Sequence, residues 1–272
     1  MKNALRSYIG KMVEEGACIA FSGGVDSSLI LKIAVMEGER LGKKVHAVTF
    51  ETKLHPVSDV EVSQKVAREM GAVHEIIKVD EFQDENIVKN PLNRCYLCKS
   101  LLFTTLKDFA EAQGLKHVVD GTNRDDHGTY RPGIQALSEL GISSPLAELG
   151  FTKADVRAYA EELGISVAKR PSAPCMATRL PYGTTIDFNL LKRIEAGEEF
   201  LKELDFETNR LRVHGDIARV EIPKKDFSRF MEQQEIITRT LKSLGFVYIT
   251  LDLEAFRSGS MDIHLLDMKP SV

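Results

Sequence analysis

The chain has 272 residues, of which 43% are hydrophobic and 28% charged, with a formal net charge of −4. That length exceeds one ordinary core, so a full domain with a smaller companion is expected, and the mild acidity advertises no nucleic-acid partner. No window approaches the roughly 20 apolar residues of a membrane span, and residues 1–6 lack the apolar core of a signal peptide, so a cytoplasmic protein is expected.

Leu5, Tyr8, Ile9 and Met12 share one helical stripe over residues 3–15, and an apolar strand follows at 17–21. Next comes Ser22-Gly23-Gly24-Val25-Asp26-Ser27, after which Leu29, Ile30, Ile33 and Ala34 resume a helical stripe. In a strand–glycine turn–helix start, main-chain amides point at an anion, the helix N-terminus adds partial positive charge, and Gly23 and Gly24 let oxygens approach the backbone. The loop reads as an oxyanion cradle. It carries neither the Gly-x-x-x-x-Gly-Lys-Ser/Thr of nucleotide P-loops nor the Gly-x-Gly-x-x-Gly of dinucleotide folds. Strands are expected at 45–50, 74–79 and 116–119, with a helix over 59–70 closed by Gly71 and another from about 90 to 113. Such alternation predicts an α/β fold, a doubly wound and mostly parallel sheet with ligands beyond the carboxyl ends of its strands.

Cys95 and Cys98 fall within one turn at the start of that last helix, and Cys175 lies in a rigid segment between Pro174 and Pro181. Cys18, inside an apolar strand, reads as core. Three usable thiols are one short of closing a tetrahedral zinc site or filling a four-iron cluster; a [4Fe-4S] cluster on three cysteines leaves one iron open to a ligand such as hydrosulfide. A disulfide or persulfide relay between Cys175 and the pair, or packing alone, are the alternatives. In the polar loop 120–126, Asp120 and Asn123 offer oxygens to Mg²⁺ or substrate, or cap a helix. Thr152 with Asp155 forms a capping-box pattern.

From about residue 184 the pattern changes to a small α+β domain: a helix over 189–203, strands at 209–214 and 216–222 meeting at Gly215, a largely helical stretch 224–244, and a strand at 246–253. Arg210 and Arg212 alternate onto one face, with Arg219 and Arg257 on other edges. Guanidinium forks suit phosphate and carboxylate, although a solvated surface charge is the alternative for each. Glu198 and Glu221 either orient a ligand or are solvated.

The Ser-Gly-Gly-Val-Asp-Ser loop resembles the signature of the PP-loop ATP pyrophosphatases, in which it holds the β and γ phosphates while the α-phosphorus is attacked. Adding Asp120-Gly121-Thr122-Asn123, Tyr130-Arg131-Pro132-Gly133, the Cys-x-x-x-Arg-Leu-Pro-Tyr-Gly of 175–183 and Phe256-Arg257-Ser258-Gly259, nearly the whole chain resembles the LarE family of sulfur transferases, which help to make the nickel-pincer nucleotide cofactor of lactate racemase. The resemblance implies an adenine nucleotide alpha hydrolase-like domain over 1–183 and a substrate or oligomerisation domain over 184–272. ATP with Mg²⁺ would adenylylate a carboxylate of pyridinium-3,5-biscarboxylic acid mononucleotide, and sulfur would then displace AMP. Ser22, Gly23, Gly24, Asp26, Ser27, Asp120 and Asn123 are thereby assigned to the nucleotide, and Asp26, Arg179 and Cys175 to the chemistry. Arg210 and Arg212, with Asp226, are assigned to a phosphate or substrate pocket at the interface of a homo-oligomer, and Arg257 to cofactor binding. One family type sacrifices the cysteine matching Cys175; the type with three cysteines, which this chain resembles, implies a [4Fe-4S] cluster on Cys95, Cys98 and Cys175. A tRNA thiolase, an amide-forming ligase and a non-catalytic nucleotide-binding module are the rival readings.

Overall fold

Helix α1 (Lys2–Glu15) stops at Gly16, and strand β1 (Ala17–Ala20) then opens a sheet in which every strand is followed by helix. The computed structural model describes residues 1–128, 132–171, 173–257 and 259–261. It divides into one unit made of Met1–Ile87 with Leu92–Ala173 and another made of Val88–Pro91 with Pro174–Val272. After β1 come α2 (Val25–Leu41), β2 (His46–Thr52), α3 (Val57–Met70), β3 (Val73–Val79), α4 (Glu85–Val88), α5 (Arg94–Ala112), β4 (His117–Val119), α6 (Pro132–Glu139), α7 (Pro145–Glu148) and α8 (Lys153–Glu162). The strands pair in parallel in the order β3-β2-β1-β4.

Side chains alternate across a strand, and that alternation sets the layers. Ile19 joins Leu5, Ile9, Ile30 and Tyr159 in a core under α1, α2 and α8, whereas Cys18 joins Val48, Phe103, Leu106 and Leu137 under α5 and α6. Both faces are therefore covered, as the doubly wound reading requires. Each fully buried leucine or isoleucine here contributes about 1.5–3 kcal/mol. Cys18 is completely buried, and burial pushes its thiol up to about 12, so it packs as a thiol. Because the chain leaves β1 toward β2 and β3 on one side and returns as β4 on the other, the carboxyl ends of β1 and β4 flank a crevice.

The second unit contains α9 (Phe188–Glu203), β5 (Arg210–His214), β6 (Ile217–Glu221), α10 (Phe227–Glu232), α11 (Gln234–Ser243) and β7 (Tyr248–Leu251). β5 and β6 form an antiparallel hairpin, and β7 lies parallel to β6. Helix α9 approaches so closely that a Cβ at Gly197 would meet Leu211 at 2.6 Å and Leu241 at 3.0 Å. The helical stretch expected over 224–244 is broken at Gln233 into α10 and α11. Residues 88–91 are strapped to this unit: Asn90, in the left-handed region at φ 52°, donates to the Pro181 carbonyl at 2.8 Å and accepts from Gly183 N–H, also at 2.8 Å. These bonds tie residues 88–91 to the 174–183 segment of the same unit.

Candidate active site

At the end of β1 the chain turns through Gly23 at φ +69°, a conformation suited to glycine. A Cβ there would also lie 3.0 Å from the backbone of Ser63 in α3. The turn is tied across itself. Ser27 Oγ accepts from Ser22 N–H at 3.3 Å, sits 3.2 Å from Ser22 Oγ and donates to the Gly24 carbonyl at 3.2 Å. Gly24 N–H donates to Ser22 Oγ at 3.3 Å. No side chain among the described residues caps α2 at Gly24, so its first turn faces the crevice with backbone donors. Ser22 is exposed at the rim, whereas Ser27 is buried beneath it.

The loop after β4 closes the crevice from the other side. Gly121 packs so tightly that a Cβ would stand 2.8 Å from Ser27 N. Asn123 Nδ2 donates to Asp26 Oδ1 at 3.2 Å, which joins the two expected motifs directly. Asp120 is buried and accepts from Thr122 and Ser144 hydroxyls, both at 2.5 Å, with Lys99 Nζ 3.7 Å away. Lys99 extends from the turn of α5 that carries Cys95 and Cys98, so this turn and the nucleotide loop share one edge of the first unit. Both thiols are half-buried, and none of the four cysteines is in a disulfide.

Two cations that sequence reasoning did not single out flank the loop. Lys153 Nζ pairs with Asp26, and its main-chain N–H donates to Asp125 at 2.8 Å. Arg170 donates to Gly23 O and to Asp59. Lys153 left a readable signal: it is the first residue of a helix, where positive charge opposes the macrodipole, so another partner must favour it. The capping box of Thr152 and Asp155 is formed in full and sets that first turn. Arg170 left no comparable trace.

In the second unit Arg179 is buried and forks onto Glu198, with Nε–Oε1 at 2.9 Å and Nη2–Oε2 at 2.8 Å. Its Nη1 donates to the carbonyls of Pro174 at 2.9 Å and Cys175 at 3.3 Å. Thr178 also donates to the Cys175 carbonyl through N–H and Oγ1, at 3.0 and 2.8 Å. Arg179 thus shapes the loop that presents Cys175, which is itself half-buried.

Arg212 stands directly opposite Arg219 across β5 and β6, not on a separate edge, and Glu221 Oε1 lies between them at 2.7 and 3.0 Å. Like charges facing across a ladder repel, so the carboxylate offsets that cost. Arg212 also donates to the Thr178 carbonyl at 2.6 Å, and Arg219 reaches Asp252 at 3.3 Å. Glu198 and Glu221 are therefore buried partners, not solvated charges. Glu221 Oε2 and Arg219 Nε are buried without a hydrogen-bond partner among the described residues. Arg210 stacks over Phe256 at 5.4 Å, and burial, reinforced by Arg179, lowers its pKa. Arg257 pairs with Glu254 at 2.6 Å, and Asp226 with Arg229 at 3.2 Å.

Tyr130, Arg131 and Ser258 of the sequence motifs lie outside the described residues. Among the described residues, no three His, Cys, Asp or Glu side chains converge at metal-binding spacing, and no helix is long and apolar enough to cross a membrane. Cys95 and Cys98 belong to the first unit and Cys175 to the second.

A parallel sheet whose first strand feeds a Ser-Gly-Gly-x-Asp-Ser cradle, answered by Asp-Gly-Thr-Asn after the strand on its other side, defines a PP-loop nucleotide-binding domain. In agreement, the family model described as asparagine synthase matches residues 11–95. Over its length the chain is similar to an uncharacterized protein of Synechocystis, 38% identical and covering 95% of each chain. It is also 38% identical to the pyridinium-3,5-bisthiocarboxylic acid mononucleotide synthase of Lactiplantibacillus plantarum, over 90% of this chain and 88% of that one. An uncharacterized protein of Methanocaldococcus jannaschii is 33% identical over 95% of this chain and 96% of its own. The chain belongs to the LarE family of PP-loop enzymes.

Proposed function

We propose that the protein is an ATP-dependent sulfur transferase that converts a carboxylate of pyridinium-3,5-biscarboxylic acid mononucleotide into a thiocarboxylate. The observation that carries this reading is the likeness to the Lactiplantibacillus plantarum synthase over 245 residues, an extent that takes in both units. A carboxylate oxygen is a poor leaving group, so carbon must first be activated. The carboxylate attacks the α-phosphorus of ATP, pyrophosphate departs, and a sulfur nucleophile then displaces AMP from the acyl adenylate.

The Ser22–Ser27 amides and hydroxyls are suited to the charge that gathers on departing pyrophosphate. Asp26 and Asn123, already bonded, and Asp120 would supply oxygens for a Mg²⁺ counter-ion, with Asp26 exchanging its Lys153 partner for the ion. Arg210, Arg212 and Arg257 are assigned to the substrate's phosphate or second carboxylate; Arg212 would have to share its fork with Glu221. Arg179 serves by gripping the Cys175 loop. The second unit is the substrate and subunit-contact module of a homo-oligomer, and no nucleic-acid partner is invoked.

The thiol chemistry suits an iron–sulfur group: three soft donors, half-buried and outside any disulfide, against a fourth that is sealed in the core. Cys95, Cys98 and Cys175 would hold a [4Fe-4S] cluster, which would supply an open iron for a transferable sulfide. Anaerobic reconstitution is expected to give about four iron and four sulfide per chain. Alanine at Cys95, Cys98 or Cys175 should abolish that content, and Cys18→Ala should leave it intact. The decisive experiment incubates the protein anaerobically with Mg-ATP, sulfide and the mononucleotide. Mass spectrometry is expected to find oxygen-to-sulfur exchange in the product and an unchanged protein mass. A protein lighter by one hydrogen sulfide would instead make Cys175 the consumed donor.

A further inference from the structure

A peptide bond between two glycines turns over more easily than others, because neither neighbour has a Cβ to resist positive φ. The Gly23–Gly24 peptide is such a unit in the middle of the cradle. Its orientation decides what an arriving anion meets. The carbonyl and N–H of a trans peptide point in opposite directions, so rotation of this unit replaces a donor with an oxygen dipole. The Gly23 carbonyl accepts from Arg170 Nη1 at 3.4 Å, while Gly24 N–H points the other way, to the hydroxyl of Ser22 at the exposed rim. Nη2 of the same guanidinium donates to Asp59 Oδ1 at 2.6 Å in the first turn of α3. The backbone that carries Arg170 is itself held, since Arg157 donates to the carbonyls of Ala168 and Arg170 at 2.7 and 3.0 Å.

We propose that Arg170 is a positioning residue for nucleotide binding: anchored by Asp59, its guanidinium holds the Gly23 carbonyl outward, so that the Gly24 amide faces the phosphates. This inference rests on reading the loop as the ATP cradle. A planar fork is required, because one group must reach two acceptors on different elements; an ammonium cannot reproduce that geometry.

Calorimetric titration of the full chain with inorganic pyrophosphate and with Mg-ATP tests it. If the wild-type chain binds neither, the cradle reading falls and this one with it. With wild-type binding established, Arg170→Ala and Arg170→Lys are each expected to weaken both ligands roughly 10- to 100-fold, the loss of one charge-assisted hydrogen bond. Asp59→Asn separates a grip on the loop from a direct phosphate contact. A guanidinium that touched phosphate would bind more tightly once released from its carboxylate, whereas one that works by holding Gly23 has its anchor reduced from an ion pair to a neutral hydrogen bond, and binding weakens. Wild-type affinity in Arg170→Lys, or a gain in Asp59→Asn, overturns the proposal while leaving the cradle standing. Should Arg170→Ala fail to fold, the other two variants carry the test.

Discussion

At Ser22–Ser27 charge is handled by main-chain donors at an open rim, with Lys153 and Arg170 to either side. Around Glu198 and Glu221 it is handled by Arg179, Arg212 and Arg219, with Asp252 as a further carboxylate, largely withdrawn from water. The first arrangement needs little side-chain identity, because glycines and a helix start supply the donors. The second is built on side-chain ion pairs backed by main-chain groups, and each ion depends on a partner from another element. Burying an ion costs several kcal/mol unless it is paired and hydrogen-bonded, so the second region can hold these charges only as a mutually paired set.

The largest expected effect comes from breaking that buried lattice. Arg179→Ala strands Glu198 among Leu211 N–H and apolar neighbours, and should cost about 3–5 kcal/mol in urea unfolding. Its product yield should fall as the Cys175 loop loses its grip. Gly23→Ala attacks the other region. It forces positive φ on a Cβ and presses it onto Ser63, an expected destabilisation of about 1–2 kcal/mol with a larger loss of ATP affinity, read by calorimetry beside thermal unfolding. If Gly23→Ala lost stability and kept affinity, the contrast between an open loop and a closed lattice would be mistaken.

The smallest effect is in pH. His74 in the first unit has its pKa lowered by burial, opposed by Glu75; His214 in the second is lowered by burial and then by Arg219 and Arg212. A depressed histidine favours the folded state above its ordinary value of 6.5, and that contribution is lost as pH falls through the folded pKa. Stability should therefore decline as pH drops below about 6.5, and His74→Gln and His214→Gln should each flatten part of that slope in urea titrations. His214 sits beside two guanidiniums, so added salt should reduce its share more than that of His74.

Read alone, the amino-acid sequence determined the layering, the loop and its ligand class, since apolar periodicity and a glycine turn are local properties that fold the same way almost wherever they occur. The Thr152 capping box and the core role of Cys18 belong with these. The pairing of Arg212 with Arg219 over Glu221, the fork of Arg179 and the grip of Arg170 on Gly23 were decided only by tertiary structure. Charged residues spaced along a strand look alike whether water or a distant carboxylate receives them. Arg170 and Asp59 are 111 positions apart, and only the folding of α3 against the cradle brings them together.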